Sequence, residues 1–217
     1  MTTEKPVWEK IASLQKELDK EFQNLNATVH GHVSDTFDDW LAFVINGWEI
    51  GGEGIKSWRY TKEQTRLFLR FYQKYMEAMV EALQVKPWHD FLGHIYENLV
   101  ASSLRKSHAG QFFTPENVCD LMAKVTGKPA DNIVFDPCCG SGRLPLAGWA
   151  ASGKTCMVIA ADLDRTCVMM TIVNLLSHGV CGTVAHADSL AGKTFATWDI
   201  NYPDPALEGL PHCRKTA

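Results

Sequence analysis

Asp136-Pro137-Cys138-Cys139-Gly140-Ser141-Gly142-Arg143-Leu144-Pro145-Leu146 is the stretch on which the reading of this chain turns. It closes the short apolar run "NIVFDP" (132–137), which is of the strand type, and opens an apolar run of helical character that lasts to Gly153. A strand that hands over to a helix in this way belongs to a parallel sheet, and ligands of open α/β sheets bind at that point. Gly140 and Gly142 permit backbone angles and a close approach that a Cβ would forbid. The first helical turn that follows offers free amides to anionic or polar ligand atoms.

Moving outward, "CMVIAADLD" (156–164) reads as a second strand and "RTCVMMTIVNLLSHG" (165–179) as a helix closed by Gly179. "GTVAHADSL" (182–190) is a third strand and "FATWDINYPDP" (195–205) a candidate fourth. Strand, helix, strand, helix, strand predicts right-handed crossover units and a parallel sheet. Asp162 ends the second strand, 162 − 142 = 20 residues beyond Gly142. An acid about 20 residues past the glycine turn is placed to take ribose hydroxyls, so the pair points to an adenosine-type cofactor. A dinucleotide fingerprint asks for a third glycine where Pro145 stands. That disfavours a nicotinamide oxidoreductase and favours S-adenosylmethionine, which carries no phosphate.

Before Gly110 the periodicity is helical throughout. Ile11, Leu14, Leu18, Phe22 and Leu25 form one apolar stripe. A second helix is expected from Asp35 to Gly51-Gly52. A third is expected from a capping box at Thr61 and Gln64, with Leu67, Phe71 and Tyr75 on one face. A fourth is expected from Pro87 to Lys106. The boundary is placed near Gly110, giving a helical region 1–109 and an α/β domain 110–217. Trp40, Trp48 and Trp58 are read as helical-domain core.

The 217 residues carry a formal net charge of −4, and 46% of them are hydrophobic. A chain that grips nucleic acid unaided usually has a basic excess, so any DNA contact is expected to be local, weak or shared with a partner. No apolar run nears the roughly 18 residues of a membrane helix, and no signal pattern opens the chain, so a cytoplasmic protein is expected. The seven cysteines include no CxxC pair. They are read as reduced, mostly buried thiols, with no metal site. Arg105, Lys106 and His108 read as a solvated helix end, and His178 and His186 as structural or exposed.

Four stretches in order now carry a family resemblance: "DFLGHIYENL" (90–99), "GQFFTP" (110–115), "DPCCGSG" (136–142) and "DLDRTCVMMTIVNLLSHG" (162–179). With them the chain, over about residues 88–190, resembles the adenine-N6 DNA methyltransferases, specifically the modification subunits of type I restriction-modification systems. The resemblance implies a Rossmann-like, S-adenosylmethionine-dependent methyltransferase core, here incomplete at its C-terminal side, behind an N-terminal helical domain. It implies that Gly110, Phe112, Phe113, Thr114 and Pro115 lie against the methionine end of the cofactor. Asp136, Cys138, Gly140 and Gly142 would form the turn, Asp162 would hold the ribose and Asp188 would lie near the adenine. DNA and a specificity-type subunit are the implied partners.

The family carries catalysis in Asn-Pro-Pro-Phe or Asp-Pro-Pro-Tyr at the end of the fourth strand. There an amide or acid and a proline carbonyl accept from the amine of a flipped adenine, and the aromatic ring stacks on it. This chain offers Asp204-Pro205-Ala206-Leu207, which keeps the acid and one proline and loses the second proline and the ring. Asp204 and Pro205 are the catalytic candidates. The departure leaves an alternative: a relative that binds cofactor or partner without turnover and regulates or mimics a modification subunit.

Overall fold

The computed structural model describes residues 6–29, 31–52, 54–55, 58–101, 112–207 and 209–216. The chain divides into two compact units, one of residues 1–40 and 57–112, the other of residues 41–56 and 113–217.

The first unit is helical. α1 (Val7–Val29) buries Leu18, Phe22 and Leu25 and packs on α3 (Lys62–Leu83). α2 (Val33–Trp48) starts two residues ahead of Asp35 and contributes its first half here. The capping box opens α3 as its sequence requires. Gln64 N donates to Thr61 Oγ1 at 3.2 Å, and Thr61 N donates to Gln64 Oε1 at 3.0 Å. Aromatic rings fill the centre. Phe22 meets Phe37 edge-on at 5.6 Å, and Trp40, fully buried, lies 4.8 Å from Phe71. Trp58 is only half-buried. The fourth helix begins later than its proline suggests. The buried Asp90 carboxylate accepts from Gly93 N at 2.8 Å and so sets the start of α4 (Phe91–Ile95), which runs on into a π turn over Tyr96–Val100.

The second unit is a five-stranded sheet with helices. Its elements in order are α5 (Glu116–Thr126), β1 (Ile133–Asp136), α6 (Arg143–Ala151), β2 (Met157–Asp162), α7 (Arg165–His178), β3 (Gly182–Asp188), β4 (Lys193–Ile200) and β5 (Cys213–Lys215). The order across the sheet is β1-β2-β3-β4-β5. β1, β2 and β3 are parallel, as the alternation of strand and helix predicts. Both crossovers step in the same direction, so right-handedness puts α6 and α7 on one face. That face is buried through Val158, Ala160 and Val184. Gly148 of α6 lies so close to Val134 that an added Cβ would come within 3.1 Å of it. α7 is apolar almost all round and almost wholly buried, and Gly179 ends it in the left-handed conformation.

The fourth strand departs from the parallel pattern. β4 forms an antiparallel hairpin with β3, Asp188 facing Lys193 and Gly182 facing Ile200. The reason is the connection: four residues, 189–192, join β3 to β4, and a parallel return needs a dozen or more. Asn201, at φ 50°, then turns the chain, donating through Nδ2 to Leu175 O and Val180 O. β5 pairs antiparallel with β4, and Glu49 forms an isolated bridge with Cys213.

Candidate functional site

Three acids end the three parallel strands: Asp136 on β1, Asp162 on β2 and Asp188 on β3. The period of the strands and the common direction of β1, β2 and β3 leave all three at one end of the sheet, where the glycine turn also lies. The turn is held by bonds from every side. Cys139 N donates to Ala161 O at 2.9 Å, and Gly140 N donates to Asp162 Oδ2 at 2.8 Å. From α7, Thr171 Oγ1 donates to Gly140 O at 2.9 Å and Asn174 Nδ2 donates to Ser141 O at 2.8 Å. Ser189 Oγ reaches Pro137 O at 2.7 Å and links the end of β3 to the start of the turn.

Both glycines are required by geometry. Gly140 has φ +56° and Gly142 φ +90°, where side chains are strained. A Cβ on Gly140 would stand 2.9 Å from the Phe113 ring, and one on Gly142 would stand 3.1 Å from Thr171 Oγ1. Phe113 thus packs on the turn itself, and the buried Arg143 guanidinium lies 5.4 Å from its ring centre. Phe112, by contrast, is 89% exposed. Thr114 and Pro115 lead directly into α5, whose Val118 and Cys119 amides donate to Pro115 O. Gly110 lies outside the described residues, as do Arg105, Lys106 and His108.

The carboxylates differ in surroundings. Asp162 is engaged at both oxygens, since Oδ1 accepts from Asp164 N at 2.8 Å. Asp136 Oδ1 accepts from Cys138 N at 3.0 Å. Burial raises the Asp136 carboxyl above its ordinary range, the Cys138 amide works against that rise, and repulsion from Asp162 adds to it. Asp188 Oδ1 accepts from Ala191 N at 2.9 Å. Cys138 is exposed on the turn, while Cys139 beneath it is buried and burial pushes its thiol far above the usual range.

Taken as a donor set, the site suits a particular ligand chemistry. Carboxylates accept from amines and hydroxyls, and they repel phosphate. Arg143 is the one cation between Asp136 and Leu146, and it is buried near Phe113. An uncharged or cationic nucleoside fits this arrangement, and a diphosphate does not.

The remaining sequence candidates lie elsewhere. β4 runs against β3, so its C-terminal residue Ile200 stands beside Gly182, the first residue of β3. Asp204 and Pro205 follow it and are placed at the far end of the sheet, about 20 Å from the carboxylates at a rise of ~3.3 Å per residue. Asp204 there lies 4.0 Å from Arg214. The structure does not bring Asp204 or Pro205 to the glycine turn. Sequence reading also missed Thr171, Asn174 and Ser189. The signal for Thr171 and Asn174 was polarity at inward positions, a threonine and an asparagine within an otherwise apolar helix, while Ser189 is exposed and carried none.

A family model described as N-6 DNA Methylase matches residues 88–203. The chain is 27% identical over 95 residues to the type I restriction enzyme MjaVIII methylase subunit of Methanocaldococcus jannaschii, covering 42% of this chain and 16% of that protein. It is 30% identical over 125 residues to the type I restriction enzyme MpnII methylase subunit of Mycoplasma pneumoniae, covering 52% of this chain and 22% of that one. The chain therefore spans about a fifth of the length of these relatives. A crystal structure of a type I restriction-modification system methyltransferase subunit from Streptococcus thermophilus aligns at a TM-score of 0.40 and 19% identity, over 80% of this chain and 39% of that one.

Proposed function

Since the chain belongs to the N-6 DNA Methylase family, we propose that it binds S-adenosylmethionine and serves the methylation of adenine N6 in DNA. The observation that carries this reading is the set of Asp136, Asp162 and Asp188 around a glycine turn braced from α7. Asp162 takes the ribose hydroxyls with the lone pairs its two backbone bonds leave free. Asp188 lies toward the adenine. Asp136 accepts from the amino group at the methionine end, with Phe112, Phe113, Thr114 and Pro115 alongside. Gly140, Gly142 and Cys138 let that end approach the backbone. When bound, the cofactor supplies a methyl group on a sulfonium.

Asp204 and Pro205 receive no step in this reading, because the antiparallel β4 takes them away from the turn. We assign residues 1–109 to a helical region, of which 41–56 belong to the same compact unit as the sheet, and 110–217 to the cofactor-binding domain, in a cytoplasmic protein. DNA contact is shared with a specificity-type subunit, which accords with the net charge of −4. No helix among the described residues is long and apolar enough to cross a membrane.

Calorimetric titration of the purified chain with S-adenosylmethionine, with NAD as control, tests the proposal. Micromolar binding of the first alone is expected. Binding of NAD, or no binding by a demonstrably folded sample, overturns it.

A further inference from the structure

β4 carries one residue more than the strand it pairs with. His186 of β3 faces Ala196 and Ala187 faces Thr194, so Phe195 has no opposite residue and forms a β-bulge. A bulge re-aims a side chain, and here its effect can be traced along the strand. In a regular strand Phe195 would point away from the face that Ala196 shares with His186. The extra residue breaks that alternation. Asp188 faces Lys193, and two residues on from Lys193 the Phe195 side chain comes to the same face as Asp188. The ring accordingly meets the His186 ring, at 4.8 Å between centroids and an inclination of 45°.

That face also carries the acid of β2. Ala160 faces Val184 and Asp162 faces His186, so Asp162, His186 and Asp188 share one side of the sheet. His186 Nε2 lies 3.1 Å from the carbonyl oxygen of Leu163, the residue next to Asp162. Leu163 is 61% exposed and Phe195 45% exposed. An accessible aromatic ring therefore stands across β3 from Asp162, at the same end of the sheet as the glycine turn. Lys193 Nζ lies 5.1 Å from the centre of this ring, and Lys193 is exposed. An exposed cation–π contact is weaker than the stacking of a base on an aromatic ring, so the ammonium yields its place to a base.

We propose that Phe195 stacks on the base of the nucleoside whose ribose Asp162 holds, and that it makes the site selective for a purine. This deepens the cofactor reading and rests on it. With the ribose at the end of β2, a base displaced by one strand spacing, ~4.8 Å, comes over β3. The Phe195 ring and Asp188 are both there. Asp188 accepts from an exocyclic amine at the edge of the base, and Phe195 supplies apolar area at its face. Stacking area grows with the size of the base, so a purine gains more from the ring than a pyrimidine with the same amine.

The test is calorimetric titration of the whole chain with S-adenosylmethionine, adenosine and cytidine, as wild type, Phe195→Leu and Phe195→Trp. Phe195→Leu keeps an apolar side chain and removes the ring. It is expected to weaken S-adenosylmethionine and adenosine alike, by about tenfold or more, and to narrow the preference for adenosine over cytidine. Phe195→Trp is expected to hold wild-type affinity or improve on it, and urea denaturation of the same samples shows that each variant is folded. Wild-type binding that Phe195→Leu leaves unchanged overturns this proposal and spares the cofactor reading. A loss confined to S-adenosylmethionine, or an equal loss in the two variants, does the same. A folded wild type that binds none of the three ligands overturns both.

Discussion

The Gly140 amide donates to the Asp162 carboxylate at 2.8 Å, and this bond ties the turn after β1 to the end of β2. The other oxygen of Asp162 accepts from Asp164 N at the same distance. A side chain expected to face a ligand therefore also shapes the turn that would receive it. Substitution there acts on fold and binding together.

Asp162→Ala should lower stability by about 1–3 kcal/mol, the usual consequence of leaving amides unpaired. It should also weaken S-adenosylmethionine by tenfold or more, which corresponds to roughly 1.4 kcal/mol. Urea denaturation and calorimetric titration of one sample read the two effects. Wild-type behaviour in both would remove Asp162 from the site.

Gly140→Ala meets two obstacles, φ +56° and the Phe113 ring at 2.9 Å from the new Cβ. Together they should cost about 1–3 kcal/mol. Adding Phe113→Ala should relieve the steric part and leave the backbone part. A double-mutant cycle on denaturation midpoints separates them, and additive losses would show that Phe113 does not press on the turn.

Asp136 has a pKa raised in the folded state, chiefly by burial. A raised carboxyl favours the protonated folded form, so its contribution to stability is complete below the unfolded pKa and is lost as pH rises through the folded one. Asp136→Asn should therefore gain on wild type as pH climbs from about 3.9, the ordinary aspartate value, through the weakly acidic range. Denaturation midpoints at a series of pH values check this. A constant difference between the two proteins across the series would contradict it.

Asp204→Ala should leave cofactor affinity within about twofold, and it should change stability by ~0–1 kcal/mol, the worth of an exposed ion pair such as that with Arg214. Titration and denaturation again supply the readouts. A large loss of cofactor affinity would contradict the antiparallel course of β4.

Much of the fold was legible because its signals are local. Two glycines with positive φ, a Thr-x-x-Gln box and a glycine after an apolar helix each dictate backbone geometry within a few residues. The direction of β4 was not legible in the same way. Lys193–Ile200 reads as a strand either way, and the four-residue connection, not the strand itself, decides its polarity. The braces Thr171 and Asn174 were missed for the opposite reason: their partners, Gly140 and Ser141, lie about 30 residues away in sequence, and only the folded crossover brings them together. The resemblance sets Phe113 against the cofactor, and what the sequence does not show is that its ring also rests on Gly140, where a Cβ would meet it.

The contrast between Cys138 and the other thiols has a practical side. Cys119, Cys139, Cys156, Cys167 and Cys213 are buried, Cys181 is half-covered, and Cys213 is further withheld by a pKa pushed up to about 12. Cys138 stands exposed two residues before Gly140. A maleimide dye would settle there first, and the chain would then carry its own optical reporter at the mouth of the turn, with no cysteine engineered in or out.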